Sequence, residues 1–129
     1  MGHKLQTKEK YTVLCADNDP LLLELVNLAF AAEGFEVLQA TDGREAWNDI
    51  LKYLPDIVVL DRMMPGMEGL DIIKHMRSED ATRDIPAVVL SARGQARDLD
   101  LGQKFGAQDY LIKPVDPAEI VARCVSLLG

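Results

Sequence analysis

The sequence has few cysteines and no long hydrophobic segment. Cys15 and Cys124 are its only 2 cysteines; both lie in apolar patterns without the spacing of a metal site, so we expect buried, reduced thiols. No apolar stretch is long enough to span a membrane, and the N-terminal segment MGHKLQTKEK lacks the apolar core of a signal peptide. These absences favour a reducing compartment, and we expect a cytoplasmic protein.

Basic charge is also scarce. The 14 Lys and Arg residues are outnumbered by 21 Asp and Glu residues, which gives a formal net charge of -7. Because binding to a nucleic-acid backbone needs a clustered basic face, we predict no direct nucleic-acid contact by this chain. With 129 residues, of which 48% are hydrophobic, the chain fits one domain with one core. We predict a domain over residues 11–129 after a polar lead-in over residues 1–10.

Short apolar runs alternate with longer amphipathic segments along the chain. The short runs are mostly rich in Val, Leu and Ile, which is typical of parallel strands covered on both faces. The predicted strands are 11–16, 35–40, 56–60, 87–90 and 109–112, and the 35–40 run alternates in the manner of an edge strand. The predicted helices are about 20–33, 43–53, 67–79, 94–105 and 116–128. This alternation predicts an α/β fold, a doubly wound, flavodoxin-like (βα)5 sheet in the order 2-1-3-4-5, whose ligands bind beyond the carboxyl ends of strands 1 and 3.

Capping residues support these helix boundaries. The segment Asp116-Pro117-Ala118-Glu119 has the pattern of a capping box, with a proline at the first helical position. Asp19-Pro20 has the same cap-then-proline form, so Asp19 has a structural role before any functional one. Gly34 and Gly106 follow helical segments, where a left-handed residue is expected.

Polar residues follow four of the predicted strands. They are Asp17, Asp61, Ser91 and Lys113. Because the carboxyl ends of parallel strands meet at one edge of a sheet, we expect these side chains to lie together. Neighbouring carboxylates need a cation or raised pKa values at neutral pH, and hard oxygen ligands suit Mg²⁺. Lys113 and Ser91 can donate to phosphoryl oxygens, so the residues predict Mg²⁺-assisted phosphoryl chemistry on an aspartate.

The sequence resembles the receiver domains of two-component response regulators over residues 11–128. The matching segments are VLCADNDP, ATDGREAW, PDIVVLDRMMPGMEGLDIIKHMR, IPAVVLSARG and GAQDYLIKPVDPAEI. The most specific segment runs from Asp61 to Gly69, with an aspartate, two variable residues and then Met-Pro-Gly-x-x-Gly. Ser91-Ala92 and Lys113-Pro114 follow at suitable distances.

The resemblance implies a role for each site residue. Asp61 would accept a phosphoryl group from a phosphohistidine of a sensor histidine kinase or a histidine phosphotransfer protein, while Ser91 and Lys113 would hold the phosphoryl oxygens. Four groups would bind Mg²⁺: Asp17, Asn18, Asp61 and the backbone carbonyl of Met63. Apart from its own phosphoryl transfer and hydrolysis, such a protein catalyses nothing and is a signalling phosphoacceptor.

The resemblance also implies a conformational switch. Ser91 would be drawn toward the phosphoryl group, and Tyr110 matches an aromatic residue that receiver domains reorient on activation. The surface formed by the fourth predicted helix, the fifth strand and the fifth helix would then change, and would act on an effector protein or domain or form a homodimer. Met63 and Arg93 match positions that influence the lifetime of the acyl phosphate. Receiver domains often have a cis peptide bond at the place of Lys113-Pro114.

Asn18 departs from the family pattern, because receiver domains usually have two adjacent acids where this chain has Asp17 and Asn18. An amide oxygen can still bind a cation, but it carries no charge, so we expect weaker Mg²⁺ binding and slower phosphorylation than at a two-acid site. Asp19 could lend its carboxylate instead. A receiver-like interaction module that is not phosphorylated stays open as an alternative.

Two further classes share parts of the pattern. Asp17-Asn18-Asp19 fits the Asp-x-Asp motif of haloacid-dehalogenase-like phosphatases, in which Asp17 would be the nucleophile and Asp19 the general acid. Against this alternative, Pro20 replaces a small flexible residue and no acidic pair follows Lys113. A flavodoxin-like cofactor binder would need a loop rich in Gly, Ser and Thr, whereas ADNDP would repel phosphate.

Overall fold

The computed structural model describes residues 10–92 and 106–129. Its five strands are β1 (Thr12–Ala16), β2 (Glu36–Ala40), β3 (Ile57–Asp61), β4 (Ala87–Ser91) and β5 (Asp109–Ile112). The helices in the described part are α1 (Pro20–Ala32), α2 (Gly43–Tyr53), α3 (Gly69–Ser78) and α4 (Pro117–Leu128). The predicted helix over 94–105 and Arg93 lie outside the described residues, as do residues 1–9 of the predicted lead-in.

The strands form one parallel sheet in the order β2-β1-β3-β4-β5, as predicted. Asp61 is paired with Leu90 of β4, and Ser91 is paired with Ile112 of β5. The carboxyl ends of β3, β4 and β5 are therefore level with one another. Asp61 and Ser91 are the last residues of their strands, whereas the sequence placed them one residue beyond.

Helices cover both faces of the sheet and create two hydrophobic clusters. On one face, α1 and α4 pack on the strands, with Phe30 and Ile120 fully buried. On the other face, α2 and α3 pack through Ile50, Ile72 and Met76, which are also fully buried. Since β3 and β4 are buried along their whole length, their near-continuous apolar sequence follows from being covered on both faces.

The capping predictions are confirmed for α1 and only partly confirmed for α4. The Asp19 carboxylate accepts hydrogen bonds from two N–H groups in the first turn of α1. The Asp116 carboxylate caps α4 through the N–H of Ala118, but the Glu119 carboxylate lies 3.5 Å from the Arg123 guanidinium, one turn further along α4. The second half of the predicted box is therefore wrong, because a cation on the same helix face attracts Glu119.

A reciprocal capping arrangement that the sequence analysis missed stands at the start of α2, and it differs from a capping box because Glu45 bonds to Thr41, the residue before the Asp42 N-cap. Glu45 donates its N–H to Asp42 Oδ1 at 2.8 Å, and its carboxylate accepts the N–H of Thr41 at 3.0 Å. Gly34 and Gly106 have the positive φ angles that were predicted, +88° and +97°, and Gly34 stands just after α1. Within residues 10–92 and 106–129, no helix combines the length and the apolar character that a membrane span requires.

Candidate functional site

Three of the predicted site residues meet in direct contact at the carboxyl edge of the sheet. Lys113 Nζ lies 2.8 Å from Asp17 Oδ2 and 3.5 Å from Asp61 Oδ2. Asp17 follows β1, Asp61 ends β3 and Lys113 follows β5, so the three residues come from three strands. The fold thus places two carboxylates around one ammonium group.

Asp17 is buried, and one of its carboxylate oxygens accepts a hydrogen bond while the other is in an ion pair only. Oδ1 accepts the N–H of Asp19 at 2.9 Å, while Oδ2 faces Lys113. Its own N–H donates to the carbonyl oxygen of Ala40 on β2 at 3.1 Å. These contacts fix the carboxylate in the orientation that points at Lys113.

Asp61 is 6% exposed and lies beside Asp17. Burial raises the pKa of Asp61 above its ordinary value, and the negative charge of Asp17 raises it further. Lys113 and the N–H of Met63, which donates to Asp61 Oδ1 at 3.4 Å, act in the opposite direction. Among the described residues, the two carboxylates at the site carry more negative charge than the one ammonium group of Lys113 neutralises.

Lys113 and Ser91 are linked through the backbone. The Lys113 N–H donates to the Ser91 carbonyl oxygen at 2.7 Å, and the Ser91 side chain is fully buried. Burial alone would lower the pKa of Lys113, but hydrogen bonding and attraction to Asp17, and then to Asp61, raise it above its ordinary value. Lys113 therefore stays an ammonium group at neutral pH and can donate to an anion at the site.

Asn18 and Asp19 differ in the hydrogen bonds that their side chains make. Both are exposed, but only Asp19 has a clear structural task, since its Oδ1 accepts the N–H of Leu21 at 3.0 Å and that of Leu22 at 3.3 Å. Asn18 lies between the buried Asp17 and this helix cap. The Asn18 amide makes no hydrogen bond within residues 10–92 and 106–129, whereas the Asp19 carboxylate is held by the helix.

Tyr110 lies on the edge strand β5 and is half-buried. Its ring packs against the hydrophobic cluster that covers the α2–α3 face of the sheet. Its hydroxyl oxygen is buried and has no hydrogen-bond partner among the described residues. A buried hydroxyl without a partner raises the free energy of this position of the ring relative to one in which it is satisfied.

The surroundings of the site leave it open on one side. A cavity of about 380 Å³ beside Lys113 is lined by Asp19, Leu22, Ala92, Lys113, Pro114 and Val115. The Lys113-Pro114 peptide bond is cis. Met63, in the loop after β3, is 47% exposed.

The donor set fits a hard divalent cation, although it is incomplete in charge. Among residues 10–92 and 106–129, no group of three or more His, Cys, Asp and Glu side chains is arranged around a common point. Two carboxylates, Asp17 and Asp61, are the charged oxygen donors that the site offers. A Mg²⁺ ion commonly uses only one or two carboxylates and completes its shell with neutral oxygens, which the Asn18 amide, the Met63 carbonyl and water could supply.

Two arginines that the sequence analysis missed hold loops at the two opposite ends of the strands. Arg62, next to Asp61, forms an ion pair with Glu68 across the loop after β3. Arg77, at the end of α3, donates five hydrogen bonds to acceptors in the segments that precede β4 and β5, at the amino end of the sheet. The helical pattern of α3 predicted where Arg77 lies, but its partners are distant in sequence and gave no signal.

Comparison with known proteins identifies a matching family. The sequence model of the response regulator receiver domain matches residues 13–125. The phosphate regulon transcriptional regulatory protein PhoB of Escherichia coli is 38% identical over 116 residues, which is 90% of this chain and 51% of PhoB. The DNA-binding response regulator MtrA of Mycolicibacterium smegmatis is 38% identical over 111 residues, 86% of this chain and 47% of MtrA. The chain thus spans about half the length of these relatives.

Solved structures give the same result. A putative response regulator from Chloroflexus aurantiacus superimposes with a TM-score of 0.86 at 35% identity, covering 92% of this chain and 98% of that protein. The chemotaxis response regulator CheY4 of Vibrio cholerae superimposes with a TM-score of 0.83 at 27% identity, covering 93% of this chain and 99% of CheY4. The similarity thus extends over nearly the whole fold and includes the edge where Asp17, Asp61 and Lys113 meet.

Proposed function

The chain belongs to the response regulator receiver domain family, and on this premise we propose that it is a phosphorylation-dependent switch whose phosphoacceptor is Asp61. The observation that carries the proposal is the contact of Lys113 Nζ with both Asp17 and Asp61 at the end of the sheet. A nucleophilic carboxylate, a second carboxylate and an ammonium donor are the groups that phosphoryl transfer to an aspartate requires.

In the proposed reaction, an oxygen of the Asp61 carboxylate attacks the phosphorus of a phosphohistidine on a sensor histidine kinase or histidine phosphotransfer protein. The phosphorus–nitrogen bond breaks, the imidazole leaves with its electron pair, and an acyl phosphate forms on Asp61. Lys113 holds the phosphoryl oxygens by charge-assisted hydrogen bonds, and the Met63 N–H orients the other oxygen of the attacking carboxylate. Later hydrolysis returns Asp61 to its carboxylate form, so the protein catalyses only its own transfer and hydrolysis.

Mg²⁺ belongs to this proposal as the cofactor. Asp17, Asn18, Asp61 and the backbone carbonyl of Met63 would hold it, and when bound it supplies positive charge that offsets the repulsion between the acidic edge and the phosphoryl group. The buried pair of carboxylates supports this assignment, because Asp17 raises the pKa of Asp61 and a cation relieves their repulsion.

Phosphorylation would be transmitted from Ser91 and Tyr110 to the surface that includes β5 and α4. The phosphoryl group adds up to two negative charges and three acceptor oxygens near Ser91. Shifting a two-state population from 1:99 to 99:1 takes roughly 5.5 kcal/mol, and two or three charge-assisted hydrogen bonds at about 1.5–3 kcal/mol each supply that amount. The buried hydroxyl of Tyr110 lacks a hydrogen-bond partner among the described residues, and this unsatisfied group favours a movement of the ring.

An exposed leucine stripe on α1 supports docking of a helical phosphodonor protein. Leu21, Leu25 and Leu28 are 63%, 44% and 62% exposed, and their spacing places them on one face of the helix. The stripe begins beside the Asp19 cap, which also lines the cavity next to Lys113. A helix of the donor packed along α1 would thus bring its phosphohistidine to the opening above Asp61.

The output partner is an effector protein or domain. PhoB and MtrA, which match over about half of their length, are named as a transcriptional regulatory protein and a DNA-binding response regulator. We propose that any nucleic-acid contact belongs to such an output region. The prediction that this chain makes no direct nucleic-acid contact is drawn from its scarce basic charge. Because the two relatives are named for transcription and DNA binding, this prediction should be tested before the other partner predictions.

Intact-mass measurement tests the proposed function directly. Wild type, Asp61→Asn and Asp17→Asn are incubated with a small acyl phosphate and Mg²⁺. We expect one phosphoryl mass in wild type and none in Asp61→Asn. Turnover that survives in Asp61→Asn but is lost in Asp17→Asn would instead indicate the phosphatase, and no mass gain in wild type would indicate the unphosphorylated interaction module.

A further inference from the structure

The loop between β3 and α3, residues 62–68, rests against the first turn of α2. The N–H of Gly43, the first residue of α2, donates to the Pro65 carbonyl oxygen at 2.9 Å. A Cβ atom added at Gly43 would lie 1.8 Å from the carbonyl oxygen of Met67 and 2.6 Å from its carbonyl carbon. Only glycine allows this approach, so the two backbones are in direct contact.

The loop side of the contact is also a glycine. Gly66 has a φ of +85°, and a Cβ atom added there would lie 3.4 Å from the backbone nitrogen of Arg44 and 3.9 Å from Asp42 Oδ1. The turn at Gly66 therefore needs the left-handed conformation that glycine adopts without strain. One glycine on each side brings the loop onto the N-terminal turn of α2.

The same loop touches Asp61 at both of its ends. The Met63 N–H donates to Asp61 Oδ1 at 3.4 Å. At the other end, the Gly69 N–H donates to the Arg62 carbonyl oxygen at 3.1 Å, and a Cβ atom added at Gly69 would lie 2.4 Å from the Asp61 carbonyl oxygen. A shift of the loop therefore moves the backbone groups that orient the Asp61 carboxylate.

We propose that Gly43 and Gly66 are positioning residues for phosphoryl transfer to Asp61. Through them the first turn of α2 fixes the path of residues 62–68, and the loop in turn fixes the Asp61 carboxylate through the Met63 N–H. The inference rests on the proposed function of Asp61. It extends the set of elements that determine the reactivity of Asp61 to α2, to which none of the predicted site residues belongs. Two glycines in a helix start and a loop thereby set the reactivity of a strand-end aspartate.

Gly66→Ala and Gly34→Ala form a matched pair that tests this role. Gly34 has nearly the same φ, +88°, but a Cβ atom added there has nothing within 4 Å, and Gly34 precedes β2 at the opposite edge of the sheet. Both substitutions impose the same kind of backbone strain, and neither added Cβ atom clashes, but only Gly66 lies in the loop that rests on α2, so only there does relief of the strain shift that loop. A difference in phosphorylation between the two variants therefore reports positioning and not general destabilisation.

The rate of phosphorylation is measured by intact mass over a range of acetyl phosphate concentrations at fixed Mg²⁺. We expect Gly66→Ala to lower the rate at saturating donor roughly tenfold relative to Gly34→Ala, since small misplacements of reacting groups have effects of this size or larger. The half-saturating donor concentration and the thermal midpoint should be the same in both variants. Gly43→Ala, whose Cβ atom would clash with the Met67 carbonyl group, should lower the saturating rate further.

The outcomes separate this inference from the proposed function. Equal saturating rates for Gly66→Ala and Gly34→Ala overturn the positioning role and leave Asp61 as the phosphoacceptor. A folded Gly43→Ala protein that is phosphorylated at the wild-type rate overturns it as well, and if that variant does not fold, the Gly66 and Gly34 pair decides. A wild-type protein that gains no phosphoryl mass overturns both the inference and the proposed function.

Discussion

Lys113 lies 2.8 Å from Asp17 and neutralises part of the negative charge at the carboxyl end of the sheet. The Lys113 side chain is 24% exposed, whereas that of Asp17 is 3% exposed, so the ion pair joins a partly exposed residue to a buried one. Lys113 also reaches Asp61, 3.5 Å away. The contact couples the stability of the fold to the chemistry of the site.

Replacement of Lys113 by Met should therefore lower stability as well as slow phosphorylation. Without the ammonium group, Asp17 and Asp61 are left as neighbouring buried carboxylates, and we expect a loss of about 1–3 kcal/mol in the free energy of unfolding without divalent cations. Urea unfolding at neutral pH measures it. Adding Asp17→Asn to the Lys113→Met protein should recover part of the loss, because it removes one of the two repelling charges. A further loss in the double variant would contradict this explanation.

Asn18→Asp should strengthen Mg²⁺ binding. The exposed Asn18 amide would be replaced by a charged donor beside Asp17, and we expect a gain in affinity on the order of tenfold, which corresponds to about 1.4 kcal/mol. Calorimetric titration with Mg²⁺ measures the dissociation constant. Asn48→Asp, which adds the same charge on the exposed face of α2, is the control and should leave the affinity nearly unchanged. Equal affinities of wild type and Asn18→Asp would show that the amide costs the site nothing.

Leu28 should contribute little to folding although it is a large hydrophobic residue. It is 62% exposed, whereas Leu23 on the opposite face of α1 is 5% exposed. We expect Leu28→Ala to change the free energy of unfolding by less than about 1 kcal/mol, and Leu23→Ala to lower it by roughly 2–5 kcal/mol. Denaturant unfolding of both variants makes the comparison. A large loss in Leu28→Ala would mean that the leucine stripe serves the fold and would weaken its assignment as a docking surface.

Arg77 should be a large contributor to stability for a residue of its type. Its guanidinium donates to the backbone oxygens of Gly106, Arg83 and Ile85 and to Gln108 Oε1. A lysine has one nitrogen and cannot reach these acceptors together, so we expect Arg77→Lys to lower the free energy of unfolding by roughly 2–3 kcal/mol. Arg83→Lys is the control, because that side chain is 57% exposed and pairs with the exposed Asp80. Similar losses in the two variants would rule out the hydrogen-bond explanation.

Stability should fall at alkaline pH because of Cys124. Burial, and next the charge of Asp109, raises the pKa of the Cys124 thiol from 9.0 to about 12. The unfolded chain therefore loses this proton first as the pH rises, so the stability is fully present below about pH 9 and is lost between about pH 9 and pH 12. Each pH unit in this range costs up to about 1.4 kcal/mol for this group.

Urea unfolding of wild type and Cys124→Ala at several alkaline pH values checks this contribution. The variant starts from a lower stability, because it leaves a cavity in the core, but its stability should fall less steeply with pH. Groups that titrate in the same range and do not interact with Cys124 cancel in the comparison, whereas Cys15, whose pKa is raised by burial and also by Cys124, contributes to the difference. Parallel pH dependences would show that Cys124 ionises with the same pKa in the folded and the unfolded chain.

Local patterns were sufficient for most of the architecture. The buried β3 and β4 were found because strands covered on both faces must be apolar throughout, and α1 was found from the Asp19-Pro20 cap. Strand order then placed the strand ends at one edge. The error at Glu119 arose where two local interactions compete, since the sequence does not say whether a carboxylate turns back to a helix end or forward to Arg123.

The sequence by itself determined the fold, its strand order and the four strand-end residues Asp17, Asp61, Ser91 and Lys113, because hydrophobic periodicity, caps and parallel topology are properties of short segments and their succession. Only the tertiary structure decided which of them touch. The 2.8 Å contact of Lys113 with Asp17 and the seating of the 62–68 loop on Gly43 join residues far apart in the chain. Such distances depend on how the elements pack in three dimensions, and no local pattern encodes them.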